Sequence, residues 1–493
     1  MEITVSKTDF LLYLECPKNA WLKKHKPKVF YASELSEFEK AIIETGNEVE
    51  LAARQLFPTG VLIDGRDESA RQQTAQFIAA HEQTIFQPVF MKDGFLAAVD
   101  ILQYDSTTDS YSIIEIKASN EIKKDWHPQD LAFQVSLLKK CGLNVSKACI
   151  MHLNSDYVRS GDLELIKVFV IEDITETVEN LLPEIEEQMI KAREYLSQDI
   201  EKPGCDCLYK TRSNHCATFE YSNPDVPEYS VHDISRIGKR KLMELIDSGI
   251  YLLENIPEEF ELSDNQKNQV DMAVRPQPLI RTDFIRDELE KLVYPLYFLD
   301  YETFACALPR FDGFGAYQHI PFQYSLHIVD SPDSEPIHKE FLHIESHDPS
   351  PHFARSLRDH IGDKGTVIVW YKPFECGRNR ELARRHPEYH SFLNSIESRV
   401  YDLRDIFSKQ YYVHKEFKGG TSIKDVLPVL VPELSYKKLA IQEGGTASQK
   451  WNELANGDIA PDLKQLISEN LREYCKLDTY AMYAIWKHLK DRI

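Results

Sequence analysis

The sequence lacks any apolar run of the roughly 18 to 20 residues that a membrane-spanning helix needs. Its N-terminus, Met-Glu-Ile-Thr-Val-Ser-Lys, has no basic region followed by an apolar one, so no signal peptide is predicted. Nine cysteines among 493 residues, without a secretion signal, do not indicate a disulfide framework. We therefore expect a cytoplasmic protein with no membrane partner.

An excess of basic residues is also missing from the chain. Lys and Arg number 58 against 79 Asp and Glu, and the net charge of −21 argues against a protein that coats nucleic acid nonspecifically. The charge does not exclude a nuclease, because binding needs only a local basic track and metal sites themselves require carboxylates. With 42% apolar and 28% charged residues, the chain has the composition of a globular protein with room for several domains.

The most informative stretch is residues 95–117. Two β-type apolar runs flank a polar turn, which predicts a hairpin. Asp100 lies in the first run, while Glu115 and Lys117, two residues apart on the second, are expected to share one face of a strand. Two carboxylates and a lysine on adjacent strands predict a site for a hard cation and an activated water. The alternative is an exposed hairpin with ordinary surface charges.

These residues, Val-Asp100 followed by Ile-Ile-Glu115-Ile-Lys117, resemble the core of the PD-(D/E)XK, restriction-endonuclease-like fold. More closely, residues 1–220 resemble the RecB-like exonucleases associated with CRISPR and with AddAB-type recombination enzymes. In that family the acids hold Mg²⁺ or Mn²⁺ and the lysine orients the attacking water. The resemblance implies these roles for Asp100, Glu115 and Lys117.

Two further motifs of that family have partial counterparts here. Where the family usually has a metal-binding histidine, this chain has Glu50 on a predicted helix, which implies a carboxylate ligand or, alternatively, a solvated helix face. The family's Gln-x-x-x-Tyr motif is matched by Gln134, with Leu138 in place of the tyrosine. The resemblance implies that Gln134 contacts the DNA backbone.

Four cysteines indicate a metal site. Cys205, Cys207 and Cys216 cluster after a Pro-Gly break, and three clustered cysteines in an intracellular protein suggest metal binding more than a disulfide. Their spacing alone does not choose between zinc, with His215 as a further candidate ligand, and an iron–sulfur cluster. Cys16, before a proline, supplies a fourth thiolate. The iron–sulfur members of the RecB-like family use this one-plus-three arrangement, which implies a 4Fe-4S cluster, with Zn²⁺ as the alternative.

Residues 221–289 separate the two halves. The first part, up to residue 229, contains prolines and no periodicity and is predicted to be a linker. Two short helices, joined at Gly238 and stopped at Gly249, are predicted next, with a basic Lys-Arg-Lys segment at residues 239–241 that suits a phosphate. The segment resembles a helix-hairpin-helix element, and a helical spacer is the alternative.

The C-terminal half carries a second set of acids. Asp300 and Glu302 follow an apolar run, so they are predicted to share one face of a strand. Tyr474 and Asp478 are four residues apart in a long helical pattern and are expected on one helix face. Together with a fourth acid, these three carboxylates around two cations about 4 Å apart would suit in-line hydrolysis of a phosphodiester.

Asp-x-Glu on a strand and Tyr-x-x-x-Asp on a helix resemble the DEDD exonuclease superfamily, whose fold is RNase H-like. Residues 367–375 are predicted to form a strand followed by a turn. In that turn Glu375 stands where the superfamily usually has Asp as its middle acid, and Asp402 is kept as a supporting or alternative ligand. Lys424 lies in a stretch that resembles the superfamily's substrate-approaching loop and helix, which implies contact with nucleic acid. Residues 290–493 thus resemble a DEDDy-type domain, a family that typically works from the 3′ end, which implies 3′ trimming.

The sequence as a whole predicts an α/β protein with two nuclease domains, at residues 1–220 and 290–493, joined by the helical region. The predicted activity is that of a metal-dependent DNA exonuclease in repair or defence, with Mg²⁺ or Mn²⁺ as cofactor and proteins of those systems as further partners. The rival interpretation is a nucleic-acid-binding scaffold of a defence or repair complex, with one or both sites silent.

Overall fold

The computed structural model describes residues 3–32, 36–275, 277–457 and 459–492. The chain is mixed α/β and divides into two compact units. The first comprises Met1–Val226 with Cys306–Gln318, and the second comprises Pro227–Ala305 with His319–Ile493. Within the described residues, no helix combines the length and apolar character needed to cross a membrane.

The first unit contains two sheets and nine α-helices among its described residues. Its strands are β1 (Val5–Ser6), β2 (Val61–Leu62), β3 (Thr84–Phe86), β4 (Val89–Lys92), β5 (Phe95–Ala98), β6 (Ile101–Asp105), β7 (Ser110–Lys117), β8 (Val145–Leu153) and β9 (Phe169–Asp173). Its helices are α1 (Lys7–Glu15), α2 (Pro17–His25), α3 (Pro27–Phe30), α4 (Glu37–Arg54), α5 (Glu68–Ala79), α6 (His127–Lys140), α7 (Leu165–Val168), α8 (Thr175–Leu196) and α9 (Phe219–Ser222).

The larger sheet of this unit has the order β2-β3-β6-β7-β8-β9. The predicted hairpin is present, because β6 and β7 pair antiparallel with Ile101 opposite Ile114. The first apolar run is divided, however: β5 belongs to a separate three-stranded sheet with β1 and β4, and Asp100 lies at the junction between β5 and β6. Helix α6, almost wholly buried, packs against this region as its apolar sequence predicts.

The first helices begin and end at residues with clear local signals. Ser6 caps α1 with a full capping box to Asp9, which satisfies two otherwise unpaired backbone donors. Cys16 then ends α1 and precedes Pro17, the first residue of α2. Proline suits that first position because its missing N–H would have no partner there. This break leaves the Cys16 side chain between two helices and fully buried.

A segment from the C-terminal half completes the core of the first unit. Ala307 and Ala316 are buried in a cluster with residues of α4 and of β6 to β9. Arg159 donates hydrogen bonds to the carbonyl oxygens of Pro309 and Arg310, at 3.1 and 2.6 Å. Residues 306–318 therefore belong to the first unit, although sequence motifs alone group them with the second.

The second unit contains a five-stranded sheet and a two-stranded one. Its strands are β10 (Leu279–Ile280), β11 (Leu296–Ala305), β12 (His319–Val329), β13 (Ile337–Leu342), β14 (Thr366–Val369), β15 (Val400–Asp402) and β16 (Tyr412–Val413). Its helices are α10 (Lys239–Asp247), α11 (Asp264–Val274), α12 (Thr282–Leu289), α13 (Ser350–His360), α14 (Lys372–Arg385), α15 (His390–Glu397), α16 (Asp405–Ser408), α17 (Ile423–Leu430), α18 (Gly444–Asn456) and α19 (Pro461–Lys490).

The larger sheet has the order β13-β12-β11-β14-β15, in which β11 is central. Strands β11, β12 and β13 pair antiparallel, whereas β11–β14 and β14–β15 pair parallel. The long helix α19 packs against β11 and β12. The Asp-x-Glu pair thus stands on the central strand, next to the helix that carries Tyr474 and Asp478.

The helical region after residue 229 differs from its prediction. The first of the two predicted helices is only a short 3-10 turn, Val231–Asp233, and a single α-helix, α10, follows Gly238. Gly249 ends that helix with φ of +72°, a left-handed conformation that glycine adopts without a steric penalty. The region belongs to the second unit.

Candidate functional site

The first candidate site lies where β7 passes the junction of β5 and β6. Glu115 Oε1 accepts a 2.8 Å hydrogen bond from Lys117 Nζ, as their shared strand face predicts. Asp100 Oδ2 accepts a 2.8 Å hydrogen bond from the backbone N–H of Ile116, so it lies beside the same strand. The structure therefore brings Asp100, Glu115 and Lys117 together.

Two residues that sequence reasoning missed complete this network. Lys7, on the first turn of α1, donates to Glu115 Oε1 at 2.7 Å, and Asp130 on α6 pairs with Lys117. Gln134, also on α6, is fully buried and donates to Glu115 Oε2 at 2.8 Å and to Asp130 at 2.9 Å. The role predicted for Gln134 was contact with the DNA backbone; in the structure its amide instead holds the two carboxylates in place.

Burial and neighbouring charge set the protonation of this site. Burial, with repulsion from Glu115, raises the pKa of Asp100 to about 7. Burial alone would raise the pKa of Glu115 too, but the ion pairs with Lys117 and Lys7 outweigh it and hold that pKa below its usual range. The same pairs keep Lys117 protonated, because its carboxylate partners outweigh burial and raise its pKa.

Glu50 on α4 reaches the edge of the site. Its carboxylate forms an ion pair with Arg54 one helical turn later and accepts a 2.5 Å hydrogen bond from Gln87 Nε2. The same Gln87 nitrogen donates to Asp100 Oδ1 at 3.2 Å. Gln87 has a backbone φ of +54°, which is uncommon for a residue with a side chain. Glu50 is therefore linked to Asp100 through one bridging amide.

The four cysteines predicted to bind metal converge in the first unit. The sulfur atoms of Cys16, Cys205, Cys207 and Cys216 all lie within 4.8 Å of one another. Three of these side chains are buried and Cys205 is half-buried. His215 lies outside the group, with its Nε2 3.0 Å from the carbonyl oxygen of Lys210. The site thus offers four thiol ligands from two distant segments.

The sulfur spacing can be compared with what each of the two metal centres needs. Cys16 Sγ is 3.7 Å from Cys216 Sγ, which is 3.9 Å from Cys205 Sγ. Around a tetrahedral zinc ion with Zn–S bonds of about 2.3 Å, neighbouring sulfurs lie about 3.8 Å apart. In a four-iron cubane each cysteine sulfur binds a different iron atom at a corner of the cluster, so the four cysteine sulfurs must lie farther apart. As spaced here, the thiols fit a single tetrahedral ion.

The second unit holds a buried acid cluster, formed by Asp300 and Glu302 on β11, Glu375 on α14 and Asp478 on α19. Ligand atoms of Asp300, Glu302 and Cys475, the last on α19, lie within 4.8 Å of one another. The phenol of Tyr474, one helical turn before Asp478, is also buried. The structure thus places the strand pair and the helix pair of the sequence motifs around one site.

Glu375 and Asp402 occupy different positions. Glu375 was expected in a turn, but it lies in the first turn of α14 and is buried, and its Oε2 has no hydrogen-bond partner among the described residues. Asp402, at the end of β15, accepts hydrogen bonds from the backbone N–H groups of Lys372 and Arg404, at 2.8 and 3.1 Å. Glu375 is therefore available as a ligand, whereas both Asp402 oxygens have backbone partners.

Burial raises the pKa values throughout the acid cluster. Burial and repulsion between neighbouring acids hold the pKa values of Asp300 and Glu302 well above their usual range. Burial raises the pKa of Glu375 to about 8 and that of Asp478 to about 7. Near neutral pH, protons therefore compete with any cation for these carboxylates.

Two further residues contact or influence the acid cluster. The Tyr436 hydroxyl donates a 2.6 Å hydrogen bond to Asp478 Oδ1, a contact that no motif predicted. Lys424, near the start of α17, bonds to the carbonyl oxygen of Gln442 at 2.7 Å. Its positive charge favours the ionised forms of Glu302 and Asp478, so it offsets part of the rise in their pKa values that burial causes. Lys424 is thus close enough to influence any anion at the site.

Comparisons with known proteins cover parts of the chain. A family described as a domain of unknown function (DUF2779) matches residues 297–422, which include Asp300, Glu302, Glu375 and Asp402. Uncharacterized protein UU173 of Ureaplasma parvum serovar 3 is 26% identical over 298 residues, which cover 56% of this chain and 41% of that protein.

Two mycoplasma proteins are similar over shorter segments. Uncharacterized protein MG366 homolog of Mycoplasma pneumoniae is 28% identical over 226 residues, 41% of this chain and 33% of that protein. Uncharacterized protein MG366 of Mycoplasma genitalium is 27% identical over 139 residues, 26% of this chain and 21% of that protein. In all three comparisons the matched segment spans less than half of the relative's length.

Proposed function

We propose that the chain is a metal-dependent nuclease that hydrolyses phosphodiester bonds of DNA, with one active site in each compact unit. The observation that carries the proposal is the acid cluster of the second unit. Three of its four carboxylates are buried and that of Asp300 is half-buried, the pKa values of all four are raised, and Glu375 Oε2 has no hydrogen-bond partner among the described residues. A hard divalent cation such as Mg²⁺ or Mn²⁺ relieves this arrangement and prefers these oxygen ligands.

The architecture of each unit supports the proposal. The hairpin with Asp100, Glu115 and Lys117, followed by the buried helix α6, supports a PD-(D/E)XK fold for the first unit. The central strand β11, with Asp300 and Glu302 and with α19 packed against it, supports an RNase H-like fold for the second. The family resemblances add a role in repair or defence in the cytoplasm.

The side chains of the second site have distinct tasks. Asp300, Glu302, Glu375 and Asp478 would hold the cation, which supplies Lewis-acid polarisation of the phosphate and lowers the pKa of a water. Burial raises the pKa of the Tyr474 phenol, so its hydroxyl stays protonated and donates a hydrogen bond to a water or phosphate oxygen. Lys424 adds positive charge beside the acids, where an anionic substrate approaches.

In the first unit, Asp100, Glu115 and Glu50 are the acids that would hold a cation. Lys117 remains protonated and is positioned by Glu115 and Asp130, so its ammonium group directs a proton toward the reacting phosphate or water. Gln134 and Lys7 orient Glu115. This site is more heavily ion-paired than the acid cluster, and a cation held there would compete with Lys7 for Glu115.

The four-cysteine site is assigned a structural role. A metal bound by Cys16, Cys205, Cys207 and Cys216 would tie the first helices to residues 205–216 and contribute to the stability of the unit. The resemblance supports a 4Fe-4S cluster, whereas the sulfur spacing supports a single Zn²⁺ ion. We assign no catalytic step to this metal.

Cleavage of end-labelled substrates tests the proposal. Single- and double-stranded DNA and RNA are incubated with the full chain in Mg²⁺, Mn²⁺ or EDTA. We expect metal-dependent loss of label from DNA, removed by combining Asp100→Asn with Asp478→Asn and retained in the exposed control Asp359→Asn. Equal degradation by the double variant, or no cleavage with either metal, would overturn the assignment.

A further inference from the structure

A basic cavity of about 900 Å³ lies within the second unit, between the α10–α11 region and the loops around β16 and α17. Among the described residues that line it, Asp425 is the single acid. Its carboxylate accepts hydrogen bonds from the backbone N–H and the hydroxyl of Ser422. The lining contains five Lys and Arg residues, namely Arg236, Arg240, Lys241, Arg404 and Lys415. Such a concentration of positive charge stands out in a chain whose net charge is −21.

Little of this positive charge is neutralised by the protein. Arg236 and Arg240 are exposed and form no ion pair with any residue that the structure describes. Lys241 Nζ is 3.7 Å from Glu261, and Lys415 Nζ is 3.9 Å from Glu416, both loose surface pairs. An anion entering the cavity would therefore meet cations that have no strong competing partner.

Two chain segments of the cavity wall lead away from it, one toward Asp402 and one toward the acid cluster. Arg404, in the cavity wall, follows two residues after Asp402 and donates a 3.0 Å hydrogen bond from Nε to Thr421 Oγ1. Asp425, also in the wall, directly follows Lys424, whose ammonium group donates a 2.7 Å hydrogen bond to the carbonyl oxygen of Gln442. Two residues after Gln442, a Cβ atom added at Gly444 would lie 3.8 Å from Glu302 Oε2. The wall of the cavity at Asp425 is thus followed closely along the chain by residues that approach the acid cluster.

The lining and the dimensions of the cavity indicate which class of anion it can bind. Arg and Lys side chains are the usual partners of phosphate oxygens, and amide side chains such as Gln410 add neutral donors. A sphere of this volume is about 12 Å across, no wider than the major groove of a double helix by itself, so a whole double helix cannot enter the cavity. The dimensions suit one strand, whose backbone carries one negative charge per nucleotide.

We infer that this cavity holds the phosphodiester backbone of a single-stranded nucleic acid whose end reaches the acid cluster. The inference rests on the proposed function and specifies its substrate as a strand end. The cavity grips nucleotides next to the one being cleaved, so it contributes to binding and positioning.

Binding without cleavage isolates the cavity from catalysis. Fluorescence anisotropy measures the binding of a dye-labelled oligothymidylate to the full chain in EDTA, at salt concentrations from about 50 to about 200 mM. Arg240→Ala and Lys415→Ala change exposed residues, and Arg355→Ala, at an exposed arginine of α13 outside the cavity lining, is the matched control. Arg240 lies on α10 and Arg355 on α13, and alanine, the best helix former, keeps both helices intact.

We expect the Arg240→Ala/Lys415→Ala protein to bind about tenfold more weakly, with the slope of log affinity against log salt reduced by about 1.4, since each lost contact to a single strand removes about 0.7. Arg355→Ala should bind as the wild type does. A duplex of the same length should bind more weakly. Wild-type affinity in the double variant, an equal loss in Arg355→Ala, or no binding by the wild type would overturn the inference.

The same proteins separate the two proposals when Mg²⁺ is added. If the double variant loses binding while the wild type cleaves nothing, the cavity assignment stands and the proposed nuclease function fails. If the wild type cleaves and the double variant binds and cleaves equally well, the nuclease function stands and the cavity assignment fails.

Discussion

Tyr436 donates a 2.6 Å hydrogen bond to Asp478, a residue 42 positions later in the chain, and both side chains are buried. The bond stabilises the ionised carboxylate and so partly offsets the burial that raises the pKa of Asp478 to about 7. A tyrosine outside the sequence motifs thereby tunes the acid that the motif supplies.

Tyr436→Phe should therefore shift the acidic limb of the pH profile. Without the donor the pKa of Asp478 rises further, so the ionised form is lost at a higher pH and kcat/KM falls most near pH 6.5. At pH 8.5 the variant should approach wild-type activity. Tyr480→Phe, at a partly exposed position on α19, the helix that carries Asp478, is the control. A uniform loss at every pH would contradict this role for the hydrogen bond.

The raised pKa values predict that Mg²⁺ stabilises the protein more at high pH. Asp478 and Glu375 titrate near 7 and 8 when folded, against about 4 when unfolded, so the folded metal-free protein binds more protons in this range. Its free energy of unfolding therefore falls as pH rises from about 4 to about 8. Because Mg²⁺ binds the ionised acids, it opposes this loss.

Thermal unfolding checks this prediction at pH 6 and pH 8, with 10 mM EDTA or about 10 mM Mg²⁺. We expect the increase in Tm caused by Mg²⁺ to be several degrees larger at pH 8. Glu375→Gln removes one titrating acid and should flatten the pH dependence measured in EDTA. An increase that is equal at both pH values would indicate that Mg²⁺ binds elsewhere.

The two proposed active sites should be separable. Asp478→Ala removes an anionic ligand of the second site, and its helix survives because alanine is the best helix former. We expect this variant to lose trimming from the 3′ end by about 100-fold or more, equivalent to about 3 kcal/mol of transition-state stabilisation. It should keep any cleavage due to Asp100, Glu115 and Lys117.

Lys117→Ala is the reciprocal variant. It should lose the cleavage that Asp478→Ala keeps and retain 3′ trimming. Circular dichroism and thermal unfolding monitor folding of both proteins, because Lys117 also neutralises Glu115 and Asp130. Trimming at the wild-type rate by Asp478→Ala would make the second unit a binding module.

The four-cysteine site predicts a bound metal with a structural effect. Protein purified without oxygen should contain either one zinc or about four irons with a brown colour. Cys16→Ser and Cys216→Ser should each abolish that metal and lower the Tm, since each removes one of four ligands joining distant segments. Cys149→Ser, at a buried cysteine outside the cluster, should retain the metal. Metal-free wild-type protein would contradict the site.

The sequence by itself determined the local pairings of the candidate sites. Glu115 with Lys117, and Asp300 with Glu302, share a strand face because side chains alternate along any β-strand. Tyr474 and Asp478 share a helix face because the α-helix repeats every 3.6 residues. These relationships depend only on backbone geometry, which the apolar pattern of each segment reveals.

A local signal was also available for Glu375, which was expected in a turn. Lys372 and Pro373 precede it, and proline at the first positions of a helix is common. Reading that signal would have placed Glu375 in the first turn of α14, where the structure has it.

Only the tertiary structure decided which distant residues meet. Lys7 pairs with Glu115 across 108 positions, and Tyr436 reaches Asp478 across 42. Residues 306–318 joined the first unit through buried alanines that carry no motif. Such meetings follow from how whole elements pack against one another, and hydrophobic packing is not directional, so no short stretch of sequence encodes them. The same packing gathered Arg240, Arg404 and Lys415, from three separate segments, around one cavity.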